Sequence, residues 1–516
     1  MRKLIIPLAI TILAACSISY AGDGGGTIKL GYTYLEEDGN RSVNFPTFNE
    51  YQGVNLSLED FRYNFDNGLR FSADLNNITL ENRRGNIGLE KSRVFGINLS
   101  HNKYRRIYDF DNEHNTERNH FGASAWIQPH KYIKIFGGGN LTDMNGSVAN
   151  LFDTGFELPA RRFDYRQTSY NAGLRIKHKS RMVQVKYETA EYEDDASPER
   201  NQSRYRIKTN ALLPVPRYEW IVLSGGFRHF ETEYDSTGFK ISSNTGWGEG
   251  SLYLPRHFIL KYSFLFNRAS SDSDYVATDN ITHAVYLSHY WKSKGAVTVG
   301  YRHLINDDYE DEVTGKGGYI SGWFAPSGKF KLRADIGISD DEVKEGSRLI
   351  GDEQRNKYRL SAKYRHNEET SLSLQYSHSL RENEQLDTEA DYYSIGLDAT
   401  AKALSYGWIN AGYTYSKGDY QNIDDRFEFI DHLIYGDLYL NEYHDITPGA
   451  GIVYYRSKRD LDVESIRLRF SLIWNFYRNF NMEAVYNVHN FDDFLFRDKY
   501  YTANIVEINI LNEFSF

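Results

Sequence analysis

Arg175, Lys177, Lys186, Arg333, Arg359, Lys363, Arg365, Arg467 and Arg469 each stand beside an apolar residue and share one phase of a two-residue alternation. Arg206, Lys208, Lys261, Arg302 and Lys331 fall in the same phase, with fewer acids such as Glu188, Asp335 and Glu507. Fixed ammonium and guanidinium groups in such a row can do one kind of chemistry. They attract an anionic cargo or an acidic protein surface, and they break no bonds by themselves.

Bond-making chemistry has little to work with. The 15 histidines are scattered and form no metal-spaced cluster. There is neither a Walker loop nor a Gly-x-Ser-x-Gly elbow. The glycine-rich "FGGGN" at 136–140 closes an alternating stretch instead of opening a helix, which argues against phosphate binding. The acidic "NDDYEDE" at 306–312 reads as a solvated charge run, with a divalent cation bridging lipopolysaccharide as the other reading. No enzyme, metal site or cofactor is expected in this chain.

The elements that must hold those cations are strands. "KFKLRADIGIS" puts Phe330, Leu332, Ala334, Ile336 and Ile338 on one face and Lys331, Arg333 and Asp335 on the other. "SIRLRFSLIWNF" sets Ile466, Leu468, Phe470, Leu472 and Trp474 against Arg467, Arg469 and Ser471. A period of two over about ten residues is the signature of a strand with two unlike faces. The connectors alternate between tight, often basic turns, such as "KSR" at 179–181 and "PSGK" at 326–329, and longer acidic ones, such as "DDASPERNQS" and "KGDYQNIDDR". A membrane-crossing strand reverses at each surface, so this alternation predicts an all-β, large, antiparallel up-and-down transmembrane barrel. About 26 strands are expected, with 24 as the second count, and no plug domain. Charged residues at the lipid midplane are costly, so the basic phase is expected to line the lumen. Trp126, Trp220, Trp291, Trp323 and Trp474 lie near the tight turns and are expected to form an interfacial girdle.

The ends supply a compartment. "MRK" followed by "LIIPLAITILAAC" and the small residues around Ala21 predict a signal peptide over 1–21 with cleavage after Ala21, leaving a barrel domain over 22–516. "LAAC" also resembles a lipobox, which would lipidate Cys16. Cys16 is the single cysteine, so cleavage after Ala21 would leave a mature chain that can form no disulfide and attach no haem through Cys-x-x-Cys-His. The closing "NIVEINILNEFSF" alternates and ends on Phe514 and Phe516. This resembles the C-terminal signal read by the barrel assembly machinery, and places the protein in a Gram-negative outer membrane among lipid and lipopolysaccharide. Aromatic enrichment (Tyr 41, Phe 30) suits strands and membrane interfaces, and a net charge of -10 disfavours nucleic acid.

Twenty-six strands spaced ~4.8 Å apart and tilted ~40° imply a backbone diameter of roughly 50 Å, with roughly 35–40 Å left between side chains. A wide barrel with tight periplasmic turns, Tyr-rich strands and segments such as "YYRSKRDLD" (454–462) resembles the MtrB/PioB-type outer-membrane barrels. That resemblance implies a sheath around a periplasmic multihaem cytochrome, with an outer-surface cytochrome as a further partner. Haem would then sit on the partner and electrons would cross the outer membrane. The alternative is a porin or channel for solute transport.

Overall fold

A computed structural model describes residues 22–108, 114–148, 161–272, 277–308, 311–345, 352–403, 407–422, 425–497 and 499–515. The signal-peptide region with Ala21 and Cys16, and the terminal Phe516, lie outside the described residues. The chain forms β1 (Gly22–Gly39), β2 (Gly53–Phe65), β3 (Leu69–Asn76), β4 (Arg84–Lys91), β5 (Phe95–Ile107), β6 (Asn115–His130), β7 (Ile133–Val148), β8 (Arg161–His178) and β9 (Arg181–Asp194). Then follow β10 (Gln202–Val215), β11 (Tyr218–Tyr234), β12 (Lys240–Leu254), β13 (Phe258–Ser271), β14 (Ala277–Tyr290), β15 (Gly295–Asp308), β16 (Asp311–Ser327), β17 (Phe330–Glu345) and β18 (Glu353–Arg365). The last are β19 (Ser371–Asn383), β20 (Thr388–Ala403), β21 (Gly407–Gln421), β22 (Arg426–Leu440), β23 (Ile446–Arg459), β24 (Val463–Tyr477), β25 (Phe480–Asp493) and β26 (Tyr500–Ser515).

Each strand pairs antiparallel with its sequence neighbours, and β26 pairs with β1 from Gly25↔Ser515 to Gly39↔Tyr501. The sheet is therefore one closed 26-stranded barrel without an edge. Closure is what a spanning sheet requires, because lipid offers no partner to a backbone N–H or C=O. Strand register shows how the alternation was spent. On one side of the wall, Phe324, Leu332, Ala362, Leu374, Leu397 and Tyr413 stand in one cross-strand row. On the other, Ser321, Asp335, Arg359, Ser377, Ser394 and Ser416 form a row. The apolar row faces lipid and the polar row faces the lumen, which makes the chain an integral outer-membrane barrel. Leu374→Arg is accordingly expected to destabilise the folded barrel by about 2–4 kcal/mol, and Ser377→Arg by far less. Denaturant titration in detergent or vesicles measures both, and equal losses would reverse the assignment of faces.

Several strands run further outward than the alternation alone suggested. β15 and β16 continue pairing to Asp307↔Glu312, through most of the acidic "NDDYEDE" segment. Solvated acidic side chains do not stop a hairpin whose backbone groups still need partners. A second departure lies in β2. Asp60 has φ 50 and the register shifts between Leu58 and Phe61. The apolar phase moves from the even positions Leu56 and Leu58 to the odd positions Phe61 and Tyr63. This is a bulge, in which one extra residue swaps the faces of the strand.

Two of the five tryptophans of the expected girdle are on the inner side. Trp323 is in register with Arg333, and its ring carries Lys331 Nζ at 4.9 Å. Trp126 carries Lys134 Nζ at 3.7 Å. Their one-residue offset from lipid-facing neighbours such as Phe324 outweighs their closeness to the turns. Trp474, in phase with Leu472 and Phe470, keeps the outward place.

Candidate functional site

The inner wall is charged, and some of its charges meet partners. On β9 and β10, Glu188 accepts from Lys186 at 2.6 Å and from Arg206 at 3.3 Å. Lys261 pairs with Glu249 at 2.6 Å across β13 and β12. Arg333 pairs with Asp335 at 2.8 Å, and Ser321 and Tyr319 also donate to that carboxylate. Glu353 bridges Arg355 and Arg381. Arg175 donates to the amide oxygen of Gln184 at 2.8 Å.

The basic residues picked out by alternation share the inner face but do not converge. Arg175 and Lys177 on β8 stand opposite Gln184 and Met182 on β9, on the same face as Lys186. Arg333, Arg359, Lys363 and Arg365 form a second group on β17 and β18. Arg467 and Arg469 lie on β24. Cross-strand rows connect the last two groups around the wall. Lys363 leads through Ser373, Asp398, Gly412, Tyr435 and Val453 to Arg467. Arg365 leads likewise through Ser371 and Thr400 toward Arg469. Three separate arcs of positive charge thus line the lumen. Phe514 lies at the opposite, lipid-facing side of β26, with its ring centroid 6.0 Å from that of Phe61.

Alternation gave no hint of a second feature. The β1–β2 connection, residues 40–52, does not project outward as a free loop. Two short 3-10 turns, Arg41–Val43 and Phe45–Thr47, fold it against the barrel, and Arg41, Asn44, Thr47 and Phe48 are buried. Asn40 caps the first turn by accepting from Ser42 N at 2.9 Å. The place it fills is made by β3 and β4, which have eight residues each while every other strand has at least thirteen. The outer part of β5 would otherwise have a bare edge. Arg105 N donates to Asn49 Oδ1 at 2.5 Å, Arg105 Nε donates to Phe48 O at 3.0 Å, and Asn82 Nδ2 donates to Asn49 O at 2.7 Å. The Arg105 guanidinium also lies 4.5 Å from the centre of the Tyr51 ring. This strap therefore supplies hydrogen bonds that longer β3 and β4 strands would have made.

The strap carries its own electrostatics. Arg41 Nε donates to Glu37 at 2.6 Å, and the hydroxyl of the fully buried Tyr501 donates to the same carboxylate at 3.1 Å. Glu50 fares less well. Burial, reinforced by the nearby Glu507 carboxylate and only partly opposed by Arg41, raises its pKa to about 7. The one sequence signal for this inward fold is "NFPTFNE", where a proline sits between aromatics inside an otherwise polar connector.

Among the described residues, no group of three or more His, Cys, Asp or Glu side chains is arranged to hold a metal ion. No protein-family model matches the chain, and no curated protein resembles it in sequence. Solved structures do resemble it in shape. The siderophore receptor PirA of Acinetobacter baumannii matches with a TM-score of 0.56 at 7% identity, over 96% of this chain and 81% of that one. A variant of the ferric enterobactin receptor PfeA of Pseudomonas aeruginosa matches with a TM-score of 0.54 at 11% identity, over 82% and 80%. PirA of Pseudomonas aeruginosa matches with a TM-score of 0.52 at 10% identity, over 81% and 80%. What is shared is the fold, a large closed outer-membrane β-barrel.

These matches correct the electron-conduit expectation. The barrels that share this shape are siderophore receptors, and an MtrB/PioB-type sheath is withdrawn. With it go the periplasmic multihaem cytochrome, the outer-surface cytochrome and the haem expected on a partner. The physical reason is plain in retrospect. Width, tight turns and Tyr-rich strands belong to any large barrel, and no motif in the chain was specific to a sheath.

Proposed function

We propose that this protein is an outer-membrane transport barrel that admits a water-soluble, anionic solute. The observation that carries the reading is the inner wall, a largely polar surface on which strand register sets three arcs of Arg and Lys. A lumen of this kind lowers the cost of entry for an anion, and fixed cations raise its local concentration. The likeness in fold to siderophore receptors supports transport, and anionic metal chelates are the natural first solutes to try. Residues 1–21 would deliver the chain to the periplasm. Phe514 and Phe516 would present it to the assembly machinery, with lipid and lipopolysaccharide as its surroundings.

Planar-bilayer recording tests the proposal. The purified protein is expected to conduct with a preference for chloride over potassium in a salt gradient. Arg359→Gln together with Arg467→Gln and Arg469→Gln should shift the reversal potential toward the cation-selective side. A protein that folds but neither conducts nor takes up labelled anionic solute in reconstituted vesicles would defeat the reading.

A further inference from the structure

At the periplasmic mouth, beneath the second basic arc, cations gather with no acid among them. A cavity of about 430 Å³ opens between the β14–β15 turn, the β16–β17 turn and the ends of β17 and β18. Lys294, Lys329, Lys331, Lys363 and Arg365 all line it, and no acidic residue does. Lys331 and Lys363 are direct cross-strand partners. Like charges placed opposite one another destabilise a sheet, so this pair is unfavourable unless something neutralises it. Of the two acids in the neighbouring β18–β19 turn, Glu369 is taken by Lys402 at 2.8 Å, and Glu368 does not line the cavity.

The frame around these cations is fixed. Arg365 N donates to Lys329 O at 2.6 Å, and Ala325 N donates to Lys294 O at 2.7 Å, so both turns are tied to neighbouring strands. Lys331 is steadied over the Trp323 ring. A planar guanidinium beside several mobile point charges suits a group with many oxygens and more than one negative charge.

We infer that this mouth cavity is a binding site for a multivalent phosphate group. The group can belong to a soluble phosphorylated compound entering the lumen or to the headgroup of an inner-leaflet phospholipid. Lys331, Lys363 and Arg365 would grip it from the inner wall, and Lys294 and Lys329 from the turns. The inference leans on the transport reading only for the site's place on a solute route, because binding is measured without conduction.

The test is calorimetric titration of the detergent-purified protein with inorganic pyrophosphate, alongside the Lys331→Gln, Lys363→Gln, Arg365→Gln triple variant. Folding of each is checked by heat-modifiable mobility on gels, and the Lys240→Gln, Arg268→Gln, Arg426→Gln triple variant serves as a charge-matched control at the opposite end of the barrel. The triple variant is expected to bind pyrophosphate at least about tenfold more weakly, and the control to bind as the wild type does. Native mass spectrometry after reconstitution with cardiolipin, whose headgroup carries two phosphates, distinguishes the sources. Lipid retained by the wild type, displaced by pyrophosphate and lost in the variant identifies a headgroup. Pyrophosphate binding without lipid retention identifies a soluble phosphate. Equal affinity in the folded triple variant, or no pyrophosphate binding by the wild type, overturns the site.

Discussion

Gly31→Val is expected to abolish closure of the barrel. Gly31 lies on β1 between its register partners Asn55 on β2 and Asn509 on β26. A Cβ added there would collide with Asn509 Oδ1 and stand 2.6 Å from Ile508 O. The amide could rotate, but Asn509 is fully buried, and the Ile508 carbonyl belongs to the backbone of the closing strand. Overpacking in a core ordinarily costs about 1–3 kcal/mol. Here the strain falls on the one joint made by residues far apart in sequence, and a failed joint leaves two strand edges unpaired in lipid. Assembly is scored by heat-modifiable mobility and by protease resistance of the membrane fraction. Gly337→Ala is the control, since a Cβ there meets nothing within 4 Å. Normal assembly of the Gly31→Val variant would mean that the seam is looser than this register implies.

The second large effect concerns the strap. Glu50 holds its proton up to about pH 7 when the strap is docked, against an ordinary value of 4.5. Between those two values the docked form binds more protons than the undocked form. Docking is therefore strongest below about pH 4.5, weakens as the pH rises, and reaches its full penalty above about pH 7. A shift of that size corresponds to at most about 3 kcal/mol. Glu50→Gln removes the titration and should keep residues 40–52 docked at neutral and alkaline pH. Hydrogen exchange of that segment, corrected for intrinsic rates, should slow by one to two orders of magnitude in the variant at pH 8 and change little at pH 4.5. Matching profiles for the two proteins would mean that Glu50 is neither buried nor opposed by Glu507 as described.

Much of this molecule can be read from alternation alone, for a physical reason. A strand in a barrel wall has lipid on one side and water on the other, so Leu332 and Arg333 could not exchange places without heavy cost. That constraint repeats at every crossing, and it delivers the strand count and the pairing of the first strand with the last. It fails where the two-sided environment ends. The bulge at Asp60 is a local slip that strict periodicity passes over. The strap at 40–52 follows no period, since its place is set by the shortness of two strands further along the chain. Whether a wall cation is matched also escaped, because register sets Lys186 opposite Lys208 and Lys363 opposite Lys331 alike, and only side-chain geometry shows Lys186 bonded to Glu188 on its own strand. Function was the least legible. Width and turn chemistry are shared by sheaths, pores and receptors alike.

The two eight-residue strands also have a mechanical meaning. A closed wall behaves like a hoop built from staves, and any outward load is carried by the hydrogen bonds between each stave and the next. Where β3 and β4 stand, the overlap is shortest, so a given load is shared among the fewest bonds. The strap stitches the upper part of that joint through Asn49, but it does so with side-chain and loop contacts instead of a continuous ladder. Under tension, such as pulling from an external loop with a force probe, this joint should part before any other, and the break should begin at the outer rim and run toward the periplasm.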